Sequence, residues 1–213
     1  MGCLALILPL VIALPIIFLL IFLNVITISF GKLGLSPEAA IFLLVATLIG
    51  GMINIPVSHR RITYERPLPL YSRFLYYLPP QVTHQVIAVN VGGAIIPIGF
   101  ALYLLPRAPL LPTLVTTLAI IAVSRLLARL VPGVGIILPA WIPPLVSAGL
   151  AFLLARENPA PVAYIAGTVG TLIGADLLNW ANFKKLGAHM ISIGGAGVFD
   201  GIFLAGVIAA LMA

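Results

Sequence analysis

The 213-residue sequence is poor in charge and nearly free of cysteine. Only 8% of its residues are charged, and Asp and Glu together number 5 against 11 Lys and Arg. Hydrophobic residues make up 62% of the chain, which is more than soluble globular domains contain. This composition excludes a soluble domain and predicts an integral membrane protein whose main partner is the lipid bilayer. The single cysteine, Cys3, excludes an internal disulfide.

Several chemical motifs are also absent from the sequence. It has no HExxH and no CxxC pattern, and its three histidines, His59, His84 and His189, are far apart. The segment "GGAG" lacks the Lys and Ser or Thr of a phosphate-binding loop, and no basic stripe interleaved with aromatics is present. We therefore expect no bound metal, no cofactor and no nucleic-acid partner. The sequence leaves the oligomeric state open.

Long apolar stretches dominate what the chain does contain. About seven of them approach the length needed to cross a bilayer, and they cover residues 4–30, 38–57, 84–105, 109–130, 134–155, 160–182 and 188–212. They predict an all-α fold, a polytopic transmembrane helical bundle that forms one integral membrane domain over residues 1–213. Prolines in the fifth stretch favour a broken or partly re-entrant segment there.

The positive charges predict the orientation of this bundle. If every stretch crosses, eight Lys or Arg fall on one side, four of them in the basic loop 58–83, and Lys32, Arg107 and Arg156 fall on the other. Positive residues accumulate on the cytoplasmic side of membrane proteins. We therefore expect a protein of the cell membrane with a cytoplasmic N-terminus and an external C-terminus. The loop 58–83 is expected to lie at the membrane interface.

An internal repeat runs through the chain. The segment "VATLIGGMINIPVSHRR" (45–61) aligns without gaps with "VGTLIGADLLNWANFKK" (169–185), and "VNVGGAIIPIGFAL" (89–102) aligns with "ISIGGAGVFDGIFL" (191–204). The alignment predicts a 3+1+3 parallel repeat, with repeat one at about 4–105, a linker span at about 109–130 and repeat two at about 132–212. Only the second copy carries aspartates, because Asp176 aligns with Met52 and Asp200 with Ile98.

The two aspartates of the chain are the strongest candidates for catalytic residues. Asp176 and Asp200 lie on consecutive predicted spans, where an unpaired charge is costly and usually functional. If the glycine-rich stretch "ISIGGAGV" is extended, both carboxylates come to a similar depth. Two close carboxylates share one proton, so that one acts as a base on water and the other as an acid. The neighbouring residues predicted to contact a substrate are Asn179, Gly174, Gly194, Gly195 and Gly197.

Two resemblances rest on these same motifs. The segments "GADLLNW" (174–180) and "SIGGAGVFDGIFLAG" (192–206) resemble the signature of a prokaryotic membrane family known as domain of unknown function number 1614, which implies no activity. A weaker resemblance is to the intramembrane aspartyl proteases of the presenilin and signal-peptide-peptidase type. That resemblance implies that Asp176 and Asp200 cleave a transmembrane peptide. The chain departs from the protease pattern at Ala175 and Phe199, where that family has Tyr and Gly.

Three functions are therefore open at this point. The first is an intramembrane aspartyl hydrolase. The second is a proton- or cation-coupled transporter of a small solute, built from the two parallel repeats with the aspartates between them. The third is a structural membrane protein without turnover, in which each aspartate separately bonds backbone amides or the side chains of Asn54, Asn90, Asn179 or Ser192. The sequence does not decide whether the protein is an enzyme.

Overall fold

The structure is a computed structural model of the full chain. It describes the backbone of residues 2–64, 81–131, 135–186 and 190–195, together with positions 208 and 211. Most of the described residues are helical. The helices are α1 (Gly2–Lys32), α2 (Pro37–Gly51), α3 (Ile96–Leu104), α4 (Leu110–Leu127), α5 (Ile142–Leu154) and α6 (Pro159–Thr171). Two π-helical turns (Val91–Ile95 and Leu172–Asp176) and two 3₁₀ segments (Leu105–Arg107 and Leu177–Leu186) continue or precede these helices.

The expectation of an all-α fold is wrong, because the structure also contains strands. These are β1 (Asn54–Tyr64), β2 (Gln81–Asn90), β3 (Arg129–Val131), β4 (Gly135–Ile137) and β5 (Met190–Ile193). β2 lies between its two neighbours, antiparallel to β1 and parallel to β5. The segment "QVTHQVIAVN" of β2 is rich in β-branched residues, which favour a pleated sheet. Both ends of the predicted interfacial loop 58–83 are therefore strand, and residues 65–80 lie outside the described residues.

Among the described residues, three helices are long and apolar enough to cross a membrane, and they coincide with the first, fourth and sixth predicted spans. They are Ala13–Lys32, Leu110–Leu127 and Pro159–Phe183. The second and fifth predicted spans contain the shorter helices α2 and α5, of 15 and 13 residues. The β3–β4 hairpin precedes α5, so the fifth stretch is broken. The third predicted span begins as strand β2 and becomes helical only from Val91, and most of the seventh lies outside the described residues.

Contacts between loops define the two ends of the helical bundle. At one end, which we call the arginine end, Arg107 donates a hydrogen bond to the Leu33 carbonyl and accepts one from Asn158 at its own carbonyl. Lys32 bonds the carbonyl of Leu211 at this same end. At the other end, the sheet end, α2 and α6 run into the three-stranded sheet. Consequently α2, α4 and α6 run toward the sheet, whereas α1, α3 and α5 run toward Arg107.

Three clusters of buried residues hold the described elements together, and the third lies between α5 and α6 (Ala148, Ala151, Ala155, Val162 and Ala163). The first joins α1, α2, α3 and α6 around aromatic side chains, with Phe100 edge-on to Tyr164 at 4.9 Å and tilted against Phe30 at 5.7 Å between ring centroids. The second joins the sheet to the end of α6. Its buried members are Ile87, Ala94, Leu172, Phe183, Ile191 and Ile193. The second cluster fixes strand β5 against the residues that follow α6.

Helix α4 faces the bundle with polar residues and the outside with apolar ones. Its buried residues are Thr113, Thr116, Ile120 and Ser124, whereas its leucines Leu114, Leu118 and Leu126 are exposed. This pattern suits a helix surrounded by lipid, since lipid tails are as apolar as leucine. This buried face packs on Gly170 and Gly174, with Ile120 beside Gly170 and Ser124 beside Gly174. Small residues four apart let two membrane helices approach closely.

The close contact between α4 and α6 leads to a prediction about Gly174. A Cβ at this position would lie 2.5 Å from the Ile121 carbonyl oxygen, so Gly174→Ala must push the two backbones apart. We expect a loss of about 1–3 kcal/mol in the free energy of unfolding. Gly149→Ala in α5 is the matched control, because no atom lies within 4 Å of its Cβ position. Denaturant unfolding in mild detergent measures both variants, and equal stabilities would contradict the packing role of Gly174.

Candidate functional site

Asp176 lies at the sheet end, in the π-helical turn that ends the regular part of the third candidate span. Its side chain is partly exposed, and its Oδ2 accepts a hydrogen bond of 2.8 Å from the backbone N–H of Gly194. π-helical turns recur at functional sites. The bond attaches the end of α6 to the first glycine after strand β5. Gly194 is six residues before Asp200 in the sequence.

Two glycine pairs meet beside this carboxylate. The Cβ position of Gly93 lies 1.7 Å from the Gly194 carbonyl oxygen, and that of Gly92 lies 2.1 Å from the Thr47 carbonyl oxygen. No side chain fits at either position, because real Cβ atoms do not approach other atoms this closely. Gly194 also has a φ of +69°, a conformation that glycine adopts without steric cost. The glycines therefore allow the backbones after β2 and β5 to touch.

A polar network links the three strands next to the glycine pairs. Asn54 Oδ1 accepts hydrogen bonds from Asn90 Nδ2, at 3.1 Å, and from the Ser192 hydroxyl. Asn90 Nδ2 also donates to the Gly51 carbonyl, and Asn90 Oδ1 accepts from the Gly93 N–H at 2.7 Å. Asn90 thus bonds a backbone carbonyl at the end of α2, a backbone N–H in the π turn and the side chain of Asn54 on the neighbouring strand. Such a connected network fixes the position of the strands at this end of the molecule.

The structure brings together part of the predicted site. Asp176 and Gly194 are in direct contact, and Gly195 follows at the exposed turn after β5. Asn179 is fully buried and donates from Nδ2 to the Ala175 carbonyl, one turn earlier. Gly174 faces α4, where it has a packing role. Gly197 and Asp200 lie outside the described residues, so the structure gives no separation between the two carboxylates.

Some residues at this site are not predicted from the sequence as functional residues. The sequence indicates Asn54, Asn90 and Ser192 only as alternative partners for the aspartates, whereas the structure joins them to one another beside Asp176. A signal was present, since Asn90 aligns with Ser192 in the repeat and each precedes a Gly-Gly pair by one apolar residue. The cross-strand pair Asn54–Asn90 could not be foreseen without the register of β1 on β2.

The residues before Gly194 form a strand, and the glycine-rich stretch from residue 196 onward lies outside the described residues. Met190–Ile193 pairs with Val86–Val89 in parallel, and β5 is an edge strand among the strands that the structure describes. A carboxylate beside the end of an edge strand is suited to an extended peptide, because such a strand can pair with the backbone of a ligand. Within the described residues, no three His, Cys, Asp or Glu side chains converge as metal ligands.

A comparison with known protein families identifies the family of this chain. The family model described as "Protein of unknown function (DUF1614)" matches residues 48–212, which is most of the chain. The protein belongs to the DUF1614 family. No curated protein and no solved structure matches it. The membership confirms the resemblance read from the motifs around Asp176 and Asp200, and the resemblance to intramembrane aspartyl proteases stays a prediction.

Proposed function

We propose that this DUF1614 protein is an intramembrane aspartyl hydrolase, in which Asp176 and Asp200 share a proton and activate water against a peptide bond. The hydrogen bond from the Gly194 N–H to Asp176 carries the proposal. It holds one carboxylate against the segment that leads to the other, with five residues between Gly194 and Asp200. One aspartate takes a proton from water, and its partner donates a proton to the leaving amine.

The strand beside Asp176 favours a peptide as the substrate. β5 ends one residue before Gly194, whose N–H bonds Asp176, and its Met190 side chain is 54% exposed. A transmembrane peptide that unwinds near this end of the bundle can pair with the edge of β5 and place its carbonyl close to the carboxylate. Gly195, at the exposed turn that follows, carries no side chain, and its Cβ position is taken up by the Ser192 side chain. Asn179, three residues after Asp176, donates to the Ala175 carbonyl and belongs to the same proposed site.

The seven-span, 3+1+3 architecture belongs to the same proposal. Helices α2 and α6, which align in the repeat, both run toward the sheet end. Each leads to a Gly-Gly pair that follows a strand, β2 in one copy and β5 in the other, and these two strands are parallel neighbours. The Cβ positions of Gly92 and Gly93 meet the end of α2 and Gly194. These correspondences support two copies of one unit, of which only the second carries carboxylates.

A reconstitution experiment tests the hydrolase. The purified protein is placed in liposomes with a set of synthetic single-span peptides, and the products are identified by mass spectrometry. We expect cleavage within the apolar segment, lost in Asp176→Asn and in Asp200→Asn. Glu157→Gln is the matched control, since it neutralises an exposed carboxylate at the arginine end. Full-rate cleavage by either aspartate variant would overturn the proposal.

A small-solute transporter is the second candidate, and the polar lining of α4 favours it. Thr116 and Ser124 are completely buried, and their hydroxyls have no hydrogen-bond partner among the described residues. A cation- or proton-coupled path along this buried face of α4 would end near Asp176. The same liposomes, loaded with a pH-sensitive dye, discriminate between the two functions. Proton flux that disappears in Asp200→Asn without any peptide cleavage would favour transport.

We also propose an orientation in the membrane, with the sheet end and the N-terminus on the cytoplasmic side. The grouping of charges supports it, because positive residues are more numerous toward the sheet end. Arg60 and Arg61 lie in β1, Arg125 lies in the last turn of α4 and Arg129 begins the hairpin, whereas Lys32 and Arg107 lie at the arginine end. A cysteine-labelling experiment checks this in Cys3→Ser protein. We expect Glu157→Cys, at the arginine end, to react with a membrane-impermeant thiol reagent from outside intact cells. Labelling only after the cells are opened would reverse the orientation.

A further inference from the structure

Two buried polar atoms flank Asp176 on its own chain segment. Thr171 Oγ1 and Asn179 Oδ1 have no hydrogen-bond partner among the described residues, although their side chains are 3% and 0% exposed. A buried polar atom without a partner is costly, and most such atoms in proteins bond to another group or to ordered water. Threonine in a helix usually bonds a carbonyl one turn earlier, as Thr117 does. Thr171 does not.

The helix geometry places these atoms on the side of Asp176. The π turn Leu172–Asp176 joins residues five apart, so Thr171 stands directly before the aspartate on the same face. In the 3₁₀ segment that follows, residues three apart lie on the same side of the helix, which places Asn179 one turn after Asp176. Ser124 Oγ, buried and also without a partner among the described residues, reaches the same level from α4 beside Gly174.

The first copy of the repeat provides a contrast. Thr47 aligns with Thr171 and is equally buried, at 4% exposure, but its hydroxyl donates to the Leu43 carbonyl at 2.7 Å. Met52 and Ile55 stand where the second copy has Asp176 and Asn179. The hydroxyl is therefore satisfied by the helix in the copy without a carboxylate. In the copy that has a carboxylate, the Thr171 hydroxyl has no such bond and can bond a ligand.

We propose that Thr171, Asn179 and Ser124 bind water molecules beside Asp176, and that this hydrated pocket supplies the carboxylate with water from the sheet end of the bundle. A bound water bridges two or more such polar atoms at little cost in free energy. The inference deepens the proposed function and rests on it, because a hydrolase within a bilayer consumes water at a site that lipid surrounds. It assigns Thr171, Asn179 and Ser124 as positioning residues for that water.

Thiol exchange measures water at the pocket without any substrate. In Cys3→Ser protein, Thr171→Cys and Thr47→Cys introduce thiols at corresponding depths, and infrared spectroscopy follows the conversion of S–H to S–D in D₂O. We expect Thr171→Cys to exchange at least about tenfold faster than Thr47→Cys, since a site that already holds water needs no opening step. Equal exchange at the two positions, whether fast or slow, would overturn the proposal.

Valine variants give a second measurement if a cysteine variant does not fold. Thr171→Val removes a water-binding hydroxyl at nearly constant volume, so we expect a lower apparent Tm than the wild type. In a dry interface the same change removes an unsatisfied group, and the Tm would rise or stay unchanged, which contradicts the proposal. Neither readout depends on turnover. Fast exchange at Thr171→Cys without peptide cleavage would support the hydrated pocket and contradict the hydrolase. Slow exchange together with cleavage would support the hydrolase and contradict the hydrated pocket.

Discussion

Asp176→Asn is expected to abolish turnover and leave the fold nearly unchanged. An asparagine oxygen can still accept the hydrogen bond from the Gly194 N–H, in the way that Asn90 Oδ1 accepts from Gly93. It cannot take a proton from water, and loss of a general acid or base typically lowers a rate by about 10²–10⁴-fold. The measurement is peptide cleavage in liposomes, accompanied by denaturant unfolding of the same preparation.

Asp176→Leu separates the structural role of this residue from its chemical one. Leucine leaves the Gly194 N–H without this acceptor, and we expect a loss of about 1–3 kcal/mol in the free energy of unfolding in addition to the loss of turnover. Together the two variants decide between function and structure. If Asp176→Asn cleaves peptides normally while Asp176→Leu is unstable, then Asp176 only attaches α6 to the strand that follows it.

Gly93→Ala is expected to give the largest loss of stability in the described part of the chain. The added Cβ would lie 1.7 Å from the Gly194 carbonyl oxygen, which belongs to the backbone and cannot rotate away. The adjacent Gly92 is in close contact with the backbone of α2, so the π turn cannot move away from Gly194 in that direction. Overpacking of this kind costs about 3 kcal/mol or more, enough to prevent folding of a marginally stable protein.

Gly99→Ala is the matched control for this effect. Gly99 lies in α3, six residues after Gly93, and no atom approaches its Cβ position within 4 Å. Alanine favours a helix by about 0.5–1 kcal/mol over glycine, so this variant should be slightly more stable than the wild type. Unfolding in mild detergent gives both values. Similar stabilities for Gly93→Ala and Gly99→Ala would contradict the close contact of the two Gly-Gly pairs.

The longest helices could be predicted from the sequence because they are continuous and apolar. Ala13–Lys32 and Leu110–Leu127 each contain enough apolar residues to span a bilayer. The sheet could not be predicted in the same way, since a short apolar strand and part of a buried helix have similar hydropathy. β2 carries β-branched residues that distinguish it, but the length and hydropathy of the apolar stretch 84–105 predict a helix there.

The candidate site was predicted in part for a related reason. A charge in an apolar segment is visible from the sequence alone, and Asp176 indeed lies at a junction of helix and sheet. The polar network around it depends on distant pairings, in particular Asn54 with Asn90 and with Ser192, which only the strand register creates. The unsatisfied hydroxyl of Thr171 was also hidden, because its repeat counterpart Thr47 has the same sequence context and a normal partner.

The pairing of the two aspartates is the central claim, and cysteine crosslinking tests it most directly. In Cys3→Ser protein, Asp176→Cys and Asp200→Cys are combined and treated with a short bifunctional thiol reagent. The pair Asn54→Cys and Ser192→Cys is the positive control because these side chains are hydrogen-bonded. Asp176→Cys with Leu211→Cys, at opposite ends of the bundle, is the negative control. We predict rapid crosslinking of positions 176 and 200, and its absence when the positive control reacts would contradict a shared aspartate site.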